Sequence, residues 1–222
     1  MRGPFARVVG AIAVLWLFHT VLLRDALSED LSPGSPAIER SLVASRDAYA
    51  AGRFEEALEP TLKLVAALPG QDVFLMRLAY IYRELERPDD EARTWEAVVD
   101  VSPTPVDACP MLAEVYQRMG DERASLHAYE RCVGFDPKNL DMLLYLAQAY
   151  FRADRRDDAR EVLERGIGFS GGYADYSLVL GVIEYSEGHT ARARERFEHF
   201  VELAPDRREE VAVWLQRTAS RP

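Results

Sequence analysis

Cysteine is nearly absent from this chain of 222 residues, where only Cys109 and Cys132 occur. They form no C-x-x-C, and no ladder of metal-ligand spacing accompanies them, which sets aside zinc ribbons and dithiol redox motifs. Lysine is as scarce, with Lys63 and Lys138 set against 25 arginines. Positive charge is outweighed throughout. The net charge is −10, and Arg2, Arg7, Arg24 and Asp25 contribute +2 of it, so the chain after residue 28 carries −12. A surface that acidic repels phosphate backbones and excludes nucleic acid as an expected partner. Past the first thirty residues the only histidines are His127, His189 and His199. None stands in H-E-x-x-H, and His189 and His199 do not fall at the i, i+4 spacing of a ligand pair. They are read as surface or helix-start residues, and no metal is expected. No phosphate-cradling glycine loop appears, and no cofactor is expected.

What is present begins with an apolar run. Val8 to Leu23 carries no formal charge, with His19 and Thr20 its polar members, and Arg2 and Arg7 precede it. A spanning helix needs roughly 17 to 25 predominantly apolar residues, a length reached if Phe5 and Ala6 join the run and Arg7 snorkels. Residues 1–23 are therefore read as a signal-anchor or transmembrane segment. Cleavage as a signal peptide is the competing reading, because Ala26-Leu27-Ser28 offers a small-x-small site. The positive-inside bias places the rest of the chain outside the cytoplasm, in a bacterial periplasm. Residues 24–37, RDALSEDLSPGSPA, read as a flexible linker spanning about 20 Å r.m.s..

Beyond Ile38 the sequence repeats with a period of 34. Pro69, Pro103, Pro137 and Pro205 keep that interval, with Gly171 in the missing place. Leu78, Leu112, Leu146 and Leu180 align, as do Ala79, Ala113, Ala147 and Gly181, then Tyr82, Tyr116 and Tyr150. In the second half of each period Trp95, Tyr129, Leu163 and Phe197 align, and so do Val65, Val99, Val133, Ile167 and Val201. This register resembles the tetratricopeptide repeat (TPR), whose signature runs large, Leu, small, Tyr, then Ala, aromatic and Pro. The resemblance implies an all-α right-handed solenoid of five helix-turn-helix units, 38–71, 72–105, 106–139, 140–173 and 174–207. A capping helix over 208–219 is expected to cover the last hairpin.

Departures from the register carry their own expectations. The first unit has Ala44, Ser45 and Ala48 in place of Leu, small and Tyr, so loose packing is expected there. Glu91 and Ser125 replace the usual small alanine, predicting local shifts where the second helices of units two and three begin. Pro60 is expected to kink the helix it interrupts. Cys109 and Cys132 fall on the two helices of unit three. Antiparallel pairing brings them to one end of that hairpin, where an oxidising compartment would allow a disulfide worth roughly 3 kcal/mol. Two small buried thiols filling core sites are the other reading.

Two motifs mimic catalysis. Gly168-Phe169-Ser170-Gly171-Gly172 matches the G-x-S-x-G nucleophile elbow, which requires a strand before the serine. Here a helical pattern precedes it, and the match falls in the connector between units four and five, so Ser170 is a turn residue. Asp89-Asp90 and Asp157-Asp158 each open a second helix, where carboxylates serve as caps and favour the dipole. No enzyme is expected.

In such a repeat the first helices line a concave face. By resemblance, one stripe places Leu42, Met76, Pro110, Leu144 and Leu178 in a peptide-binding groove, and a second holds Tyr49, Phe151 and Tyr185, with Tyr80 between them. Arg46, Arg83, Arg118 and Arg152 fall nearby, suited to carboxylates of a bound segment. Packing against neighbouring helices is the competing reading of the stripe. The positions of a family carboxylate clamp hold Arg46, Tyr80, Glu114, Gln148 and Val182, so chaperone-tail binding is not implied. The expected function is a membrane-tethered, non-enzymatic adaptor. It would bind a partner polypeptide with apolar anchors, in an envelope assembly or maturation system. A homo-oligomerising structural module with an idle groove is the alternative. Leu144→Asp is the discriminating variant, expected to abolish capture without unfolding.

Overall fold

Every first helix ends on the same backbone device. The residues with positive φ that terminate them are Gly52 (69°), Glu86 (54°), Gly120 (77°), Asp154 (60°) and Gly188 (82°), each 34 positions after the last. At each, the N–H of the left-handed residue returns to the carbonyl three back, and the next N–H returns to the carbonyl five back. Gly52 N to Tyr49 O at 3.0 Å and Arg53 N to Ala48 O at 2.9 Å set the pattern, and His189 N to Glu184 O at 2.9 Å closes the last. This is the Schellman arrangement, which satisfies helix-end carbonyls and reverses the chain in two residues.

The computed structural model describes residues 30–170 and 173–219. The expected anchor over 1–23 and the first six linker residues, 24–29, lie outside them, as do Gly171 and Gly172. Among the described residues there are eleven α-helices and no strand. They fall into two compact units that divide between Asp121 and Glu122.

The first unit contains α1 (Pro36–Ala50), α2 (Phe54–Ala67), α3 (Asp72–Glu84), α4 (Pro88–Val101), a 3-10 turn (Pro105–Ala108) and α5 (Cys109–Arg118). Pro36 and Ala37, read from composition as linker, open α1. Ser35 is its N-cap, its hydroxyl accepting from Ile38 N at 3.3 Å. Consecutive helices pack against one another, α1 on α2, α2 on α3, α3 on α4 and α4 on α5. Leu64, Leu78, Ala79, Ile81 and Tyr82 are fully buried between them. A buried leucine contributes roughly 1.5–3 kcal/mol, so stability is distributed over these columns. The first hairpin is not loose. Ser45 is fully buried and shares a 2.8 Å hydrogen bond with Thr61, whose hydroxyl donates to Ala57 O. Arg77 adds a bond to Ser45 at 3.1 Å, so hydroxyl contacts replace the missing apolar ones. Pro60 lies within α2, which runs on unbroken to Ala67.

The second unit contains α6 (Glu122–Phe135), α7 (Leu140–Arg152), α8 (Arg156–Phe169), α9 (Ala174–Ser186), α10 (Thr190–Leu203), a 3-10 segment (Pro205–Val211) and α11 (Ala212–Ala219). Asn139 caps α7, its side chain accepting from Met142 N at 3.0 Å. Leu143, Ala147, Leu163, Ile183, Phe197 and Phe200 are fully buried. The continuous capping helix expected from residue 208 is replaced by the tighter 3-10 segment. Pro205 opens it, and Arg207 ties it to Asp175 at 2.7 Å and to Glu210 at 2.7 Å.

Second helices begin at Phe54, Pro88, Glu122, Arg156 and Thr190, again 34 apart. The shifts expected from Glu91 and Ser125 are therefore absent. Ser125 is small enough to be buried in place, and Glu91 is buried against arginines. The aspartate pairs sit in the first turn rather than at the N-cap, which is Arg87 in α4 and Arg155 in α8. Arg87 Nε donates to Asp90 at 2.6 Å and Arg155 Nε to Asp158 at 2.7 Å. Each guanidinium also lies over the ring of a tyrosine from the preceding helix, Arg87 over Tyr82 at 4.7 Å and Arg155 over Tyr150 at 4.3 Å. Arginine thus closes the turn by salt bridge and ring contact together.

Candidate functional site

In the first unit the expected groove residues are unequal. Leu42 is 38% exposed, whereas Met76, Tyr80 and Tyr49 are half-buried. Tyr49 meets Phe54 edge-on at 5.8 Å and Tyr80 meets Trp95 edge-on at 5.3 Å, so both rings are partly spent on packing. Arg46 pairs with its neighbour Asp47 at 2.9 Å. Arg83 and Arg118 converge on the buried Glu91. Arg118 reaches Glu91 Oε2 at 2.5 Å, Arg83 Nε lies 3.5 Å from Glu91 Oε1, and Arg83 also bonds Glu114. Their first duty is to neutralise a carboxylate that is 1% exposed, because an uncompensated buried charge is costly.

The second unit holds a more open site. Phe151 and Arg152 on α7, Leu178 and Val182 on α9, and Trp214 on α11 line a groove of about 410 Å³, and Gln148 and Glu210 belong to the same lining. Phe151, Leu178, Val182 and Trp214 are half-buried, and Arg152 is exposed with one acidic neighbour, Glu122, at 3.8 Å. Glu210 is held below the ordinary carboxylate range by its hydrogen bond from Arg207. An apolar lining that also includes a cation, Arg152, and an anion, Glu210, suits an apolar anchor with polar neighbours.

Of the residues expected here, Phe151, Arg152 and Leu178 line this groove. Tyr185 supports it from behind, meeting Trp214 edge-on at 5.2 Å. Leu144 is only 8% exposed. An aspartate there enters the packed layer, so Leu144→Asp perturbs the fold as well as the groove. Val182, Trp214 and Glu210 complete the site without having been assigned to it. Trp214 was discoverable, since it falls one period after Leu180 and puts α11 at the register of a further first helix.

The remaining chemistry-bearing residues have local duties. Ser170 closes α8 in extended backbone, its N–H bonded to Gly166 O at 3.1 Å, which is a helix end rather than a strand-to-helix elbow. His199 bonds Ser177 at 2.8 Å, and His189 is the N-cap residue of α10. Glu184, Glu187 and His189 bring possible ligand atoms within 4.8 Å of one another. Arg160 lies 2.7 Å from Glu187 and 3.8 Å from Glu184, and Arg192 lies 3.8 Å from Glu184, so the trio already belongs to an ion-pair cluster. Cys109 and Cys132 are fully buried, and neither is a free thiol. Among the described residues no helix is long and apolar enough to cross a membrane.

A family model described as Tetratricopeptide repeat matches residues 118–177. No curated protein matches the sequence. Solved structures do. A crystal structure of MamA aligns over 78% of this chain and 94% of its own, at 18% identity and a TM-score of 0.61. A tetratricopeptide repeat protein from Parabacteroides merdae aligns over 84% and 77%, at 14% identity and a TM-score of 0.65. YrrB, described as a TPR protein with an unusual peptide-binding site, aligns over 91% and 99%, at 14% identity and a TM-score of 0.61. At such identities the likeness establishes the helical repeat fold and leaves function to the residues.

Proposed function

We propose that the protein is a non-enzymatic interaction scaffold, held at a membrane by residues 1–23, that captures a partner polypeptide through an apolar segment. The observation that carries this reading is the groove of the second unit. Phe151, Leu178, Val182 and Trp214 are left half-buried there beside an exposed arginine. Tetratricopeptide-type folds serve as binding scaffolds, and the peptide-binding site named for YrrB is consistent with the same use. In the first unit Leu42, Met76 and Tyr80 extend the apolar character, and Arg46, with only a neighbouring aspartate, is the cation there best placed to receive a carboxylate. The segment 1–23 supplies the tether, and the arginines before it, Arg2 and Arg7, favour an extracytoplasmic, periplasmic domain by the positive-inside bias; we place it in an envelope assembly. A disulfide between Cys109 and Cys132 belongs to that compartment.

The test replaces Phe151 with a photo-crosslinking phenylalanine in the full-length chain, in its native membrane, with Glu161 as the control position. One defined adduct at Phe151 that is lost in Val182→Asp, with unchanged thermal unfolding, supports the groove. Equal labelling at both positions removes it. The alternative, a homo-oligomer through the terminal helix, rests on Val213, 56% exposed on α11. A sedimenting monomer at micromolar concentration removes that reading, and a dimer abolished by Val213→Asp replaces the groove with it. Two alkylatable thiols in the denatured, non-reduced protein would dispose of the disulfide.

A further inference from the structure

One edge of the second unit carries large exposed apolar side chains at a single register position. Phe135 closes α6, Phe169 closes α8 and Leu203 closes α10, at intervals of 34, and they are 49%, 45% and 37% exposed. The same column in the first unit holds Ala67 and Val101, both half-buried. Single exposed apolar residues are ordinary, but three large ones at one register position of successive hairpins form a row. The connectors that carry the row are fastened side by side. Tyr173 OH donates to Asp141, Tyr176 OH donates to Leu140 O at 2.8 Å, and Arg207 bonds Asp175 at 2.7 Å. Lys138 Nζ stands 5.8 Å from the centre of the Phe169 ring, so apolar and charged groups alternate along the edge.

The charges there are mixed. Lys138, Arg207 and Arg208 are interspersed with Asp136, Asp175 and Asp206, a pattern suited to headgroups that carry both signs. The apolar run ends at Leu23, and Asp30–Ser35 is already a hydrogen-bonded turn before α1, Ser35 Oγ donating to Asp30 O at 2.6 Å, so the six residues 24–29 reach at most about 20 Å. A tether that short holds the domain at an effective concentration in the millimolar range, where a few side chains are enough for contact.

We propose that the edge carried by Phe135, Phe169 and Leu203 is a lipid-docking surface, which lays these side chains into the interface of a zwitterionic bilayer. The proposal rests on the membrane-tethered reading. The interaction is apolar, so it persists at high salt, unlike attraction of a basic patch to anionic lipid.

The experiment uses the full-length chain in phosphatidylcholine vesicles with brominated acyl chains. Phe135→Trp, Phe169→Trp and Leu203→Trp are prepared singly, with Val213→Trp as an exposed control. The expected result is that the emission added by each edge tryptophan is blue-shifted and mostly quenched by the bromolipid, and that added at Val213 is not. Trp16, inside the apolar run, reports the tether independently. Quenched Trp16 with unquenched edge positions overturns the docking surface and leaves the tether standing. Unquenched Trp16 refutes the tether, and the edge then stands or falls by its own quenching. Edge tryptophans shielded from acrylamide but untouched by bromolipid assign the row to contact between copies of the chain and overturn the proposal.

Discussion

Gly181 on α9 lies against the Phe197 ring of α10 so closely that a β-carbon on the glycine would stand 2.5 Å from Phe197 Cε1. The small-residue column therefore steps from alanine (Ala79, Ala113, Ala147) to glycine where the facing aromatic column presents a fully buried phenylalanine. Gly181→Ala is expected to destabilise the second unit by about 1–3 kcal/mol through overpacking. Phe197→Leu should restore part of that loss in the double variant but not stabilise alone. Urea unfolding of the two singles and the double measures the coupling, and strict additivity would refute the contact.

The five left-handed turn positions are not equivalent. Gly52, Gly120 and Gly188 adopt positive φ freely, whereas Glu86 and Asp154 carry side chains into it. A left-handed residue with a β-carbon costs roughly 1–2 kcal/mol, less for aspartate, which tolerates this region. Glu86→Gly is expected to raise stability by up to about 1 kcal/mol, after the entropy cost of glycine, and Asp154→Gly by less. Gly120→Ala should lower it by a similar amount. Thermal unfolding of the three variants checks the order.

Glu91 gives an asymmetric prediction. Its column holds alanine at Ala57, Ala159 and Ala193, so Glu91→Ala restores the usual residue and releases Arg83 and Arg118 toward solvent. That change is expected to cost less than about 1 kcal/mol, because exposed arginines are readily hydrated. Removing both arginines instead strands a buried carboxylate, at roughly 3 kcal/mol. Adding Glu91→Ala to Arg83→Gln/Arg118→Gln should recover most of the loss. Failure of that rescue in chemical unfolding would mean that the arginines act elsewhere.

The C-terminal segment is expected to respond to acid. Arg207 holds the Glu210 carboxyl below its ordinary value of 4.5. A depressed folded value means the contact stabilises above the unfolded pKa and is lost as pH falls through the folded one. The site beside Trp214 should therefore be constant from neutral pH down to about 4.5 and loosen below it. In Arg207→Gln the Glu210 titration, followed by NMR, should move back toward the ordinary range, with earlier loosening reported by Trp214 fluorescence.

Periodicity made the architecture readable, because columns such as Leu78, Leu112, Leu146 and Leu180 are buried for the same reason in each hairpin. It was a poorer guide to individual exposure. Leu42, Met76, Leu144 and Leu178 share one column, yet Leu144 is buried and Leu42 exposed, since the neighbouring helices and not the register decide what covers them. Glu91 looked like a defect that should displace a helix start. Its partners come from positions eight residues before and 27 after it, a pairing no local pattern displays. Trp214 lay beyond the last complete repeat and was read only as a cap. It also lines the groove.

The connector bonds all reach back by about one repeat, from Ser102 to Asp72, from Tyr176 to Leu140 and from Arg207 to Asp175. Within each unit the segment made later fastens itself onto one made earlier. Assembly can therefore keep pace with delivery, amino end first, and no strand of chain has to wait for a distant mate. Truncation should show the same polarity. Losing α11 uncovers the Phe197 and Tyr185 rings on which Trp214 packs and is felt in the last hairpin alone, whereas a deletion that starts from α6 removes the anchorage on which every later hairpin of its unit was laid down.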